Sequence, residues 1–142
     1  MKPRFSILLC ALGLSLSHAM AAGLDGPEDN VPQRLVAESL RQDVPASDPR
    51  VAATRKRLAQ AMQRTGKSEQ AVAAASQRLA RYIFDVAKVR VDPLEVLDAI
   101  ATHAPGGKPL NETTQRYFDL RTRDKLGHAE AMAAMAKWAA GK

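Results

Sequence analysis

Between Ser68 and Val89 the chain carries apolar residues on two adjoining helical faces, and few folds accommodate such a segment. Val72, Leu79, Ile83 and Val86 share one face, and Ala73, Ala80, Phe84 and Ala87 share a second about a quarter turn round. Only a narrow polar arc is left, made of Gln70, Gln77, Arg78, Arg81, Asp85 and Lys88. A helix that is apolar round most of its circumference belongs in the middle of a bundle. Strand-type alternation is absent along the chain and alanine is abundant, so no sheet is expected.

The neighbouring segments supply the partners such a helix needs. A first helix is expected from Val31 to about Gln42, capped by Asp29 or Asn30, with Leu35, Val36 and Leu40 as its apolar face. A second opens at Ser47-Asp48-Pro49, closes at Gly66, and carries Val51, Leu58 and Met62 on one stripe. A fourth starts at Asp92-Pro93-Leu94-Glu95, where Asp92 caps and Glu95 suits a capping box; Leu94, Leu97, Ile100 and Ala101 form its buried side. The loop Ala104 to Pro109 leads to a fifth helix from Asn111 towards Ala139, with Gly127 as the place for a kink or a break. No internal repeat emerges, because helix lengths and apolar spacings differ. The expected fold class is all-α: a single antiparallel bundle of four to five helices over 31–142.

Ahead of it, the first residues read as an export signal. Lys2 and Arg4 form a positive start, Phe5 to Leu16 an apolar stretch, and Ala19-Met20-Ala21 a small-x-small cleavage pattern. The expected division is a signal peptide over 1–21, a disordered lead-in over 22–30, and the helical domain. The expected location is periplasmic or secreted, with no membrane span after processing, since an apolar crossing needs about 20 residues. Cys10 is the only cysteine and lies in the signal, so the mature chain folds without disulfides or thiolate chemistry. It must then be held by packing alone. Loss of Lys2 and Arg4 leaves 19 basic against 15 acidic residues, a mild positive charge that suits an acidic protein partner or an anionic lipid headgroup.

Arg50, Arg57 and Arg64 are the sharpest feature of the mature chain. Seven-residue spacing holds them within about 40° on one helix. No acid occurs between Pro49 and Lys67, and Arg55, Lys56 and Lys67 add charge. Arginine suits such a seam because its planar fork pairs bidentately with carboxylates and keeps its charge when partly desolvated. Arg50, Arg57, Arg64 and Lys56 are therefore the expected protein-interface residues. Nucleic acid is not an expected partner, since the segment has no aromatic residue on which bases can stack. The sequence specifies no oligomeric state.

The catalytic alternatives are thinner. Asp124 and His128 stand four apart on the expected fifth helix, where an acid can orient an imidazole or help hold a metal. His128 also reads as a core-edge residue beside Tyr117 and Met135, and His103 as a helix C-terminal residue favoured by the dipole. Tyr117, Phe118, Met132, Met135 and Trp138 read as core. No nucleophile-elbow, zinc-protease, P-loop or dinucleotide motif occurs, and neither a cofactor nor a metal is expected. Arg81, Lys88 and Glu95 match the residue types that exported helical chorismate mutases use, but not their spacing. The expected function is thus a non-enzymatic envelope protein of inhibitor, immunity or adaptor type that binds another protein through a basic helix face. The alternative is a small periplasmic helical enzyme or metal-binding protein using Asp124, His128 and Glu95.

Overall fold

A computed structural model describes residues 30–106 and 109–141. The expected signal peptide and nearly all of the expected lead-in lie outside the described residues. Within them the protein is all-helical, with six helices and no strand: α1 (Val31–Leu40), α2 (Pro49–Thr65), α3 (Glu69–Ala87), α4 (Pro93–His103), α5 (Leu110–Thr122) and α6 (His128–Ala140).

Capping chemistry sets the starts. The side chains of Asn30, Asp48, Ser68 and Asp92 each accept a hydrogen bond from a backbone N–H in the first turn of their helix, and proline follows directly in α2 and α4. Gly66 ends α2 in the left-handed conformation, at φ 65°, which favours glycine because it lacks a Cβ. Three other left-handed positions are occupied by long cationic residues: Arg41, Lys88 and Lys125.

Lys125 explains the main departure from the expected helix count. The single run expected from Asn111 to Ala139 is two helices. The Leu126 N–H bonds the carbonyl of Leu120 at 2.9 Å, closing a seven-residue turn with Lys125 left-handed inside it. The Gly127 N–H then donates to the Glu130 carboxylate at 2.9 Å and begins α6. The start of α5 is also one residue early, at Leu110, and lacks a side-chain cap.

The central helix is α4, not α3. α4 packs against all five other helices. It buries Val96, Leu97, Ala99, Ile100 and Ala101, so it is apolar on nearly every side along its second half. α3 buries Val72, Ala73, Ser76, Ala80 and Ile83, but Phe84 and Val86, expected inside, are exposed. Tyr82, on the same exposed arc, stacks on Phe118 with ring centroids 5.1 Å apart. In α2 the expected stripe is corrected at one end. Met62 is exposed, and Ala61 and Thr54 complete the buried line with Val51 and Leu58. The main core joins α1 to α6 around Leu35, Leu58, Ile83, Leu97, Ile100, Tyr117, Leu120 and Met135. A second small cluster, Val36, Val44 and Val51, pins the α1–α2 connection.

Candidate functional site

Four helices bring charged groups together along one line. Arg121 of α5 is buried, and its Nη1 donates to the Glu95 carboxylate of α4 at 2.9 Å and to the Tyr117 hydroxyl at 2.7 Å. Glu95, about one third exposed, gives this pair access to water. The Arg121 guanidinium also sits 5.6 Å from the Tyr117 ring centre, where the π face favours a cation. Its Nε is buried without a partner among the described residues.

Tyr117 continues the chain of contacts. Its hydroxyl lies 2.9 Å from Nδ1 of His128, the first residue of α6. The phenol, accepting from Arg121, has its own proton free to donate to Nδ1, and in that tautomer His128 carries its proton on Nε2. Nε2 faces the Asp98 carboxylate of α4 at 3.6 Å, so the carboxylate favours that tautomer. Asp98 in turn ion-pairs with Arg57 of α2, whose Nη1 also lies 3.4 Å from the Thr102 hydroxyl. Burial holds the His128 pKa below its usual value, with Glu95 acting weakly the other way and Arg121 in the same direction. Burial pushes Tyr117 up to about 12, against the pull of Arg121. At neutral pH both are uncharged. The charges on the line are two pairs, Arg121–Glu95 and Arg57–Asp98, bridged by two neutral rings.

A groove of about 390 Å³ lies along this line between α2 and α4. Arg50 and Arg57 line one wall, and Asp92, Glu95, Asp98 and His128 line the other. Asp92 is occupied as the cap of α4 and by the Ser39 hydroxyl. Glu95 and His128, named together by the catalytic alternative, thus share a concave surface, while Asp124 is apart from it. Asp124 sits exposed in the turn between α5 and α6 and does not line the groove, so the expected one-turn pairing with His128 is not formed. Among the described residues no group of three metal-ligating side chains converges. Arg81 and Glu95 line a different cavity, of about 570 Å³, and Lys88 does not reach it; it caps α3 and lies over the Phe84 ring.

Arg50, Arg57 and Arg64 of α2 each have a partner within the chain. Arg50 makes a bidentate pair with the Asp48 carboxylate through Nε and Nη2, at 2.9 and 2.7 Å. That hydrogen bonding holds Asp48 down to about 2 and raises Arg50. Arg57 uses Nη1 on Asp98 and Thr102, and Arg64 uses Nη1 on the Ala104 carbonyl at 3.2 Å. Next to that last contact, His103 is held below its usual pKa by burial and then by the Arg64 charge. The remaining guanidinium nitrogens of Arg57 and Arg64, and Nη1 of Arg50, have no protein partner among the described residues. Arg55 and Lys56 are exposed and unpaired there.

Arg121 is the residue the sequence reading passed over. Its signal was available: it lies four residues after Tyr117 and next to Leu120, on the inward side of α5. A buried arginine on an apolar face requires a charge partner within reach, and Glu95 is that partner.

Comparison with protein-family models, with curated proteins and with solved structures returned no match.

Proposed function

We propose that the protein is an exported helical bundle that binds a second protein of acidic surface through the outward side of α2, with Arg50, Arg57, Arg64 and Lys56 as anchors. The observation that carries this reading is the way the arginines are held. Each guanidinium is fixed at one edge by Asp48, Asp98 or the Ala104 carbonyl, and its other edge is open. A fork ordered before binding loses less side-chain entropy when a carboxylate arrives. Arg50 and Arg64 stand about 21 Å apart along the helix, by a rise of 1.5 Å per residue, so the seam has the length of a protein contact. No acid interrupts it from Pro49 to Lys67, which favours an acidic partner over a neutral one.

The groove favours a second reading, a small enzyme using Glu95 and His128. Against it stands the geometry of the imidazole. One ring nitrogen faces Tyr117 and the other faces Asp98, so neither is turned to a substrate. The paired carboxylates are likewise engaged by Arg121 and Arg57.

Support for export rests on the sequence: the positive start at Lys2 and Arg4, the apolar run to Leu16, and the Ala19-Met20-Ala21 pattern. Intact-mass measurement on protein from the periplasmic fraction should give a chain that begins at Ala22; a chain beginning at Met1 would refute it. For the binding function, the Arg57→Glu, Arg64→Glu double variant should keep the helical circular-dichroism spectrum and lose a partner that the unaltered protein captures from envelope extract. Equal capture by both ends the proposal.

A further inference from the structure

On the far end of α2 lies a cavity of about 750 Å³ that the binding face does not account for. Its walls come from three places: the last turn of α2 with the Gly66–Lys67 turn, the face of α3 that carries Ala75 and Arg78, and the first turn of α5 at Leu110, Asn111 and Thr114. Arg64, Lys67 and Arg78 line it, and among the described residues no acidic side chain does. Glu112, on the same turn of α5, is not part of the lining.

Three like charges round one concavity repel one another, and a fold tolerates that most readily where an anion neutralises them. Arg64 is already committed on one edge to the Ala104 carbonyl, which fixes it in place. The side chains of Lys67 and Arg78 have no partner among the described residues, so both are available to a ligand. The local backbone agrees in sign. α5 starts without a side-chain cap, and its dipole adds positive potential on the same side. Three cations exceed what a single carboxylate neutralises and match a dianion. The cavity is also far larger than one oxyanion, so it has room for the group that carries it.

We propose that this cavity binds a phosphate group, borne by a small phosphoester or by a lipid headgroup, with Arg64, Lys67 and Arg78 as its ligands. The site shares Arg64 with the proposed partner-binding face, and its test leaves Arg64 in place. The measurement is the thermal midpoint of the purified full chain in sodium phosphate against sodium chloride at equal ionic strength. Phosphate should raise the midpoint. The Lys67→Gln, Arg78→Gln double variant should lose that rise, and an Arg55→Gln, Lys56→Gln control, with the same loss of charge elsewhere, should keep it. Identical midpoints in the two salts, or equal responses in both variants, would overturn the proposal. Titration calorimetry with glucose 6-phosphate and with phosphatidate-containing phosphatidylcholine vesicles then identifies the source by whichever binds more tightly than inorganic phosphate; inorganic phosphate binding tightest identifies the free ion. Independently of any variant, phosphate should shift the amide resonances of Ala75, Asn111 and Thr114 in the unaltered protein, and shifts confined to other residues would refute the site.

Discussion

The guanidinium of Arg121 on α5 lies buried with its Nη1 2.9 Å from the Glu95 carboxylate of α4, and the same nitrogen donates to the Tyr117 hydroxyl at 2.7 Å. The pair is unequal, because Arg121 is sealed inside while Glu95 reaches solvent. Removing one partner therefore differs from removing the other. Glu95→Ala strands a buried cation and should cost about 3 kcal/mol or more. Arg121→Met leaves a carboxylate that water can solvate and replaces a buried charge with apolar volume, so it should cost less. Urea midpoints of the two variants check the order, and a Glu95→Ala protein as stable as the unaltered one would contradict the arrangement.

Tyr117→Phe removes the link between Arg121 and Nδ1 of His128 while keeping the ring in the core. Two partners then lose a bond, and the loss should be about 1–3 kcal/mol. The same variant should release His128 from its fixed tautomer, which ¹⁵N chemical shifts of the imidazole report directly.

Stability should form a plateau in pH. His128 and His103 both have native pKa values below the ordinary 6.5, chiefly through burial. Below that value the unfolded chain binds protons that the folded chain does not, so stability falls as pH drops from 6.5 through the lowered native values. At the other end Tyr117 is raised from 10.0 to about 12. Between those limits the unfolded chain has already lost a proton that the folded chain keeps, and stability falls again as pH rises. Denaturant midpoints measured across the range should be highest between about 6.5 and 10. His128→Gln should flatten part of the acid limb.

Asp98 holds Arg57 in place without standing on the outer face of α2. If a pre-ordered fork matters to binding, Asp98→Ala should weaken the partner by about three- to tenfold through lost ordering of Arg57. A titration of the captured partner against both proteins measures the ratio. An unchanged affinity would mean that the ion pair does nothing for recognition.

Much of the fold was legible because its helix starts rest on short-range chemistry. Asn30, Asp48, Ser68 and Asp92 act as caps where their sequence contexts place them, and Gly66 turns left-handed where α2 stops. Helix ends were less legible. Arg41, Lys88 and Lys125 adopt positive φ without being glycine, so nothing in their identity marks a stop. That is why the chain turns at Lys125, two residues before Gly127, the only residue there whose type marks a break. Periodicity shows how much apolar surface a helix has, not which of its faces finds a neighbour. α3 has two apolar faces but leaves Phe84 and Val86 exposed, while the shorter α4 is surrounded. At the site, the contact between His128 and Tyr117 follows from core-edge placement, whereas the pairing of Arg121 with Glu95 spans 26 residues and depends on how α4 and α5 pack.

The claim on which the rest turns is that the outward side of α2 is the working surface. Photo-crosslinking tests it at one position. Gln60 is exposed on α2 between Arg57 and Arg64, and Val86 is exposed on α3. A photoreactive side chain at Gln60 should join the protein to an acidic partner in intact cells, and the same group at Val86 should not. Crosslinking from Val86 with none from Gln60 would contradict the account.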